Sequence, residues 1–354
     1  MKKLTAVILA LATVLTLATG CNEKLTDVTE STTTVSEETE ASAEDTDNTD
    51  ASTQASVDGV LTEDRAGNEF ILPDNVERIV SMAPSTTQVL IELGVADKIV
   101  GIDTNSATYL DKLPADVAQF DMMSPDCEAI AALAPDLVFT SGMSSVGGTS
   151  PFQSLIDSGI SVADIPSSAS IADIQTDILF IGSTVHKENE AAGLAELMNA
   201  YIKAVKDVAA TVPEGETKTV LVMMGVPSAE YPTVYTFGAG TYMNEMIEIA
   251  GAKNVFADQE GWLAVSVEDV LAANPDVILM DCNWMPGADE AVKALEGWEN
   301  VTAVKNGDVY QIDEDLCSRP NHHVAEACAE WAKCFYPDQF NEFNITLELM
   351  GEAA

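Results

Sequence analysis

The strongest constraint on this chain is a motif that occurs twice. Glu128-Ala-Ile-Ala-Ala-Leu-Ala-Pro135-Asp136-Leu-Val matches Glu268-Asp-Val-Leu-Ala-Ala-Asn-Pro275-Asp276-Val-Ile, with Glu, Ala, Pro and Asp in register 140 residues apart. In each copy a short helical stretch runs into proline, which disfavours helical backbone at the residue before it. Asp then opens an apolar run of strand composition. A helix, a stop and a buried strand, used twice at that distance, predict two related lobes. A chain of 354 residues has room for two cores.

The rest of the chain fits that plan. Residues 60–72 predict a hairpin around Ala66-Gly67-Asn68. Strands are predicted over 78–82, 98–102, 136–140 and 161–165. Between them lie predicted helices over 84–93 (closed by Gly94), 125–134 and 150–158. This βα succession argues for an α/β fold of two Rossmann-like lobes, each with a mainly parallel sheet. Helical patterns cover 171–185 and 188–212. In the second, Leu194, Leu197, Tyr201 and Val205 recur at spacings of three and four, and the helix would run roughly 37 Å. After it come a strand over 217–225, helices over 241–250 and 266–274, strands over 276–281 and 308–313, and a last helix over 320–335. The expected organisation is an N-terminal lobe over 58–187, an interlobe helix over 188–212, a C-terminal lobe over 213–340 and a tail over 341–354.

The N-terminal end reads differently. Lys2 and Lys3 precede an apolar run over 4–18, then small residues up to Cys21. The run is too short to span a bilayer comfortably and has the build of a secretory signal peptide over 1–20. Gly20-Cys21 resembles the bacterial lipobox, in which that cysteine becomes the diacylated first residue, although Ala18 stands where leucine is usual. Two acyl chains make a stable anchor, so Cys21 is the expected lipidation site, at the outer face of the cell membrane. Ordinary secretory cleavage that leaves Cys21 free is the other reading. Residues 22–57 hold ten acids, one lysine and no aromatic residue. Such a stretch cannot bury enough apolar surface to offset its ordering entropy, and it reads as a flexible acidic tether.

Charge excludes some partners. Sixteen Lys and Arg against 58 Asp and Glu give −42 at pH 7, which repels phosphate backbones and rules out nucleic acid as a natural partner. Five further cysteines (127, 282, 317, 328 and 334) show no CxxC and no repeated spacing, which favours free thiols over a disulfide framework.

In sum the chain resembles the periplasmic-binding-protein-like family that delivers ferric siderophores, haem and cobalamin to ABC importers. The resemblance runs from about Asp64 to Phe340. It rests on the segment 78–94, Ile99-Val-Gly-Ile102, the two Glu…Pro-Asp units, Val304-Lys-Asn-Gly-Asp-Val-Tyr310 and Ser318-Arg-Pro320. It implies two rigid lobes on one helix, with ligand held between them at the loops beyond the strand ends, and the chain is expected to be a monomer. It also implies one exposed carboxylate per lobe, here Glu128 and Glu268, for docking with the permease of an importer and its ATPase. The bland alternative is that each Glu simply favours the positive end of its helix.

The strand-end loops supply candidate ligand contacts. In the first lobe these are Ser85, Thr104, Asn105, Tyr109, Phe120, Met122, Met123, Ser141, Gly142 and Met143. In the second they are Met224, Tyr242, Trp262, Trp284, Met285, Arg319 and His322. Aromatic and thioether groups suit a flat macrocycle or a bulky chelate. Trp284 is favoured because it stands in turn chemistry, Asn283-Trp284-Met285-Pro286-Gly287. Only Arg65, Arg78 and Arg319 carry guanidinium groups, and the first two are expected away from the cleft. A trianionic catecholate complex would want several. A ferric hydroxamate or haem, or alternatively a corrinoid, fits better, as transported ligand and not as resident cofactor. His322 and His323, as helix neighbours about 100° apart, should not face one ion together, which leaves His322 as a lone axial ligand or a solvated helix start.

Three rivals stand beside this reading. A receptor for bare Zn²⁺ or Mn²⁺ would need several converging His and carboxylate ligands. Only three histidines exist. An enzyme is not indicated, since GxSxG, HExxH and GxGxxG are absent. An adhesive lipoprotein would use the same tether.

Overall fold

The runs Ile79–Ser81 and Val277–Met280 are buried at every position, with no polar alternation. Strands of that composition belong inside a parallel sheet covered on both faces, and each lobe is built on one. The computed structural model describes residues 59–144 and 150–347. The expected signal peptide, Cys21 and the acidic tether lie outside the described residues, as do 348–354.

The N-terminal lobe opens with an antiparallel hairpin, β1 (Gly59–Glu63) and β2 (Glu69–Pro73). Then follow β3 (Ile79–Ser81), α1 (Pro84–Glu92), β4 (Ile99–Asp103) and β5 (Ala118–Phe120). Next come α2 (Cys127–Ala132), β6 (Leu137–Ser141), α3 (Gln153–Asp157), β7 (Ser161–Ile165) and α4 (Ile171–Thr184). The five strands β3 to β7 form one parallel sheet in the order β5-β4-β3-β6-β7. Strand order reverses at β3, so the chain leaves the sheet in opposite directions there and opens a crevice.

One helix, α5 (Glu188–Ala209), leads onward. Its 22 residues make about 33 Å, three residues short of the expected end. It packs on α4 of the first lobe and on the helix Val324–Phe335 of the second. The C-terminal lobe runs β8 (Thr219–Met223), β9 (Thr233–Phe237), α6 (Tyr242–Ile249), β10 (Lys253–Asn254), β11 (Trp262–Ser266), α7 (Val267–Ala273) and β12 (Val277–Met280). It ends with α8 (Ala288–Lys293), α9 (Thr302–Asn306), β13 (Val309–Gln311), α10 (Glu314–Cys317), α11 (Val324–Phe335) and α12 (Pro337–Phe340). Its parallel sheet has the order β10-β8-β12-β13, and β9 and β11 form a separate antiparallel pair.

The repeated motif is a repeated structure. Asp136 donates its N–H to Arg78 O at 2.8 Å and accepts from the Glu77 and Arg78 amides on Oδ2. Asp276 donates to Thr219 O at 2.9 Å and accepts from the Thr219 amide and hydroxyl on Oδ2. Each Asp therefore stitches the start of its strand to the lobe's first core strand. Before each Pro the backbone is left-handed, at Ala134 (φ 46°) and Asn274 (φ 46°), which ends the helix as an αL cap.

Two expectations change. The segment 341–347 is no loose tail: Phe343 and Leu347 are buried in the main core and Tyr201 donates to Ile345 O at 2.8 Å. The last helix begins at Val324, not 320, because Asn321 Oδ1 accepts the His323 amide and holds 321–323 as a turn.

Candidate ligand-binding cleft

A cleft of about 690 Å³ lies between the lobes. The first lobe lines it with strand-end loops: Ala83 to Thr86 after β3, Asn105 after β4, Ser141 and Met143 after β6, and Ile165 to Ser168 after β7. One face of α4 adds Ile174, Asp177, Ile178 and Ile181. From the second lobe come Met224 after β8, Tyr242 at the start of α6, Trp262 on β11, and Glu314, Asp315, Ser318, Arg319 and Pro320 after β13. The wall is apolar with a few polar groups, as ligand sites are.

Arg319 crosses the seam. It donates to Tyr109 Oη at 2.8 Å and Asn105 O at 3.3 Å in the first lobe, and pairs with Asp315 at 2.5 Å in its own. Tyr109 in turn donates to Gln88 Oε1 at 2.6 Å, which also accepts from Asn321 Nδ2 at 3.1 Å. The guanidinium thus ties the lobes together beside the cleft, its charge already met by Asp315. Arg65, expected away from the cleft, does not line it, but its Nε bonds the lining residue Asp177 at 2.6 Å. Burial raises the Asp177 carboxyl, and Arg65 and Ser168 pull it back down.

Of the residues singled out in sequence, Ser85, Asn105, Met122, Met143, Tyr242, Trp262 and Arg319 stand on this cleft, with Ser141 and Met224. Tyr109 is one step back, positioning Arg319. Tyr242 is buried, its hydroxyl donating to Cys317 O at 3.1 Å, so it offers ring and not oxygen. Trp262 packs edge-on to Phe237 at 6.0 Å yet is 56% exposed, an open aromatic surface. Three expectations are corrected. Trp284 lies beside Gly225 on the surface, outside the cleft lining. Met285 packs on the second lobe's smaller core, because its loop folds inward where Gln311 donates to its carbonyl. His322 is buried behind the seam, since 321–323 turns before α11 begins. Among the described residues no histidine lines the cleft, so a bare-metal site of several imidazoles finds no donors among them.

The sequence reading missed α4 and the Pro166-Ser167-Ser168 loop. The loop follows a predicted strand and was open to the same rule that selected Ser85. The inward face of α4 was not, because its isoleucines read equally well as ordinary core. Glu128 and Glu268 are both exposed in the first turns of α2 and α7. Asp126 caps α2, and a Ser266–Asp269 capping box closes α7. The capping position at each helix start is therefore held by a neighbour, and neither Glu serves as the cap.

Two parallel-sheet lobes on one long helix, with an apolar cleft at their strand ends, define a solute-binding protein. The chain belongs to the periplasmic binding protein family, which it matches over residues 79–316. It is the substrate-binding component of an ABC transporter. It is 31% identical over 295 residues to the uncharacterized ABC transporter substrate-binding lipoprotein YvrC of Bacillus subtilis, covering 82% of this chain and 90% of that protein. It is 26% identical to the molybdate-binding protein MolA of Haemophilus influenzae (83% and 89% covered). The molybdate-bound MolA structure shares its fold, with a TM-score of 0.67 at 24% identity over 82% of this chain and 95% of that one. It is also 26% identical to a cobalamin-binding protein of Halobacterium salinarum (78% and 74% covered).

Proposed function

We propose that this chain is a lipid-anchored extracellular receptor that captures a bulky, intact metal complex of low negative charge and presents it to an ABC permease. One observation carries the choice of ligand. The cleft is broad and apolar, and among the described residues its lining acids, Asp177, Glu314 and Asp315, outnumber its one lining cation, Arg319. Small oxyanions and trianionic catecholates would meet net repulsion there, with no free guanidinium to offset their desolvation. A neutral ferric hydroxamate loses little on entry and gains contact with Met143, Met224, Trp262 and the isoleucines of α4. A corrinoid is the second reading. The cobalamin-binding relative favours it, as does the flat aromatic face of Trp262. Lipid anchoring at Cys21 rests on the Gly20-Cys21 pattern and on the lipoprotein name of YvrC. Glu128 and Glu268, matched in position and free of capping duty, are the proposed permease contacts, since two separated charges fix register as well as encounter rate.

Tryptophan-fluorescence titration tests the ligand class. Ferric hydroxamate or cyanocobalamin should bind most tightly, haem less so because of its propionates, and ferric catecholate and molybdate weakest. Tightest binding by catecholate or molybdate would overturn the charge argument.

A further inference from the structure

We propose that Glu92, His322 and His323 form a site for one divalent transition-metal ion, bridging the two lobes outside the ligand cleft. Glu92 is the last residue of α1 in the first lobe, and the histidines occupy the turn before α11 in the second. One ligand atom from each lies within 4.8 Å of the others. Zinc–nitrogen and zinc–oxygen bonds of about 2.0–2.2 Å place donors at most about 4.4 Å apart. The exposed Glu92 side chain is free to close that gap.

The histidines are set up as ligands. Because 321–323 is a turn, the two rings approach to 4.1 Å between centroids, which the helical geometry expected from sequence would forbid. Nδ1 of His322 is buried without a hydrogen-bond partner, a costly state that a bound cation would relieve. His323 Nδ1 faces Glu326 Oε2 at 2.7 Å, and Glu326 is itself held by the Leu347 amide. A carboxylate behind an imidazole fixes its tautomer, orients the ring and leaves Nε2 for the metal. His322 is buried, with His323 beside it and the Lys112 charge facing it. Lys112 opposes a cation, while the two carboxylates, Glu92 and Glu326, outweigh it. Two imidazoles and one carboxylate suit zinc, cobalt or nickel better than magnesium or calcium, with water completing the shell.

None of the three lines the ligand cleft, yet the site adjoins the interlobe tie. Gln88 stands one turn before Glu92 on α1, and Asn321 immediately precedes His322. An ion here pins α1 to the segment that carries Arg319 and stabilises the folded protein by mass action.

The test is titration of metal-stripped full-length protein with Co²⁺, read by visible ligand-field absorption, and with Zn²⁺, read by Tm. One equivalent should bind, Tm should rise, and His323→Ala should abolish both effects. Glu92→Ala, at an exposed helix end where folding is not at stake, should weaken binding at least tenfold. Absence of both signals in the unaltered protein, thiolate charge-transfer bands, or undiminished binding by Glu92→Ala would overturn the proposal.

Discussion

The two lobes share one burial pattern, position for position, over 131–140 and 271–280, and part company at the next residue. In the first lobe that residue is Ser141, a small hydroxyl on the cleft wall. In the second it is Asp281, buried, accepting from Ser318 at 2.6 Å and from the Cys317 thiol at 3.2 Å. The shared part builds each lobe and sets out its glutamate. The divergent part decides what each wall offers: loops and a helix face from the first lobe, aromatic rings and charge from the second. Scaffold and specificity are thus separated along a single motif.

The docking role proposed for the shared part admits the largest effect. Glu128→Lys and Glu268→Lys should each cut ligand uptake by cells at least tenfold, to similar extents, and leave ligand affinity unchanged. Loss of affinity, or a strong effect from only one of them, would break the equivalence of the lobes.

The divergent position should show itself in pH dependence. Burial pushes the Asp281 carboxyl up to about 6, against the hydrogen bonds from Ser318 and Cys317. Between about pH 4 and 6 the folded protein therefore keeps a proton that the unfolded chain has released, and stability falls as pH rises through that window. The contribution is on the order of 2–3 kcal/mol. Asp103, Asp164 and Asp177 are also raised by burial, so the slope should persist in part after Asp281→Asn, and the difference between the two proteins isolates this group. Denaturant midpoints at pH 4 and 7 measure it, and an unchanged slope contradicts the assignment.

The smallest effect sharpens the comparison within the motif. Ala134 and Asn274 hold the same left-handed backbone, but only Asn274 uses its side chain, bonding Thr302 Oγ1 at 2.9 Å and the Thr302 amide at 2.8 Å. Ala134→Gly should stabilise by about 0.5 kcal/mol, the relief of αL strain exceeding the added unfolded-state entropy. Asn274→Gly should destabilise by about 1–2 kcal/mol. Chemical denaturation reads both, and equal signs would deny the distinction.

The repeat, the parallel strands and the long helix were legible because each rests on local signals: proline stops, capping residues and unbroken apolar runs. The pair β9 and β11 was missed, since their alternation is short and their partnership spans an intervening helix. The strand-end rule found Ser85, Asn105 and Met143, because loop position follows from the strands. It failed at Trp284 and Met285, where a second loop in the same region folds away from the cleft. The meeting of Glu92 with His322 and His323 depends on how two lobes abut and on where α11 begins, neither of which a residue pattern encodes.

The most direct test of the account is ligand affinity after Trp262→Ala, measured by calorimetry with whichever complex binds most tightly. Trp262 is partly exposed on the cleft wall and belongs to no core, so the fold should survive its loss. The account predicts about a tenfold weakening, the scale of one aromatic contact. Affinity that does not change would place the ligand somewhere other than the gap between the lobes.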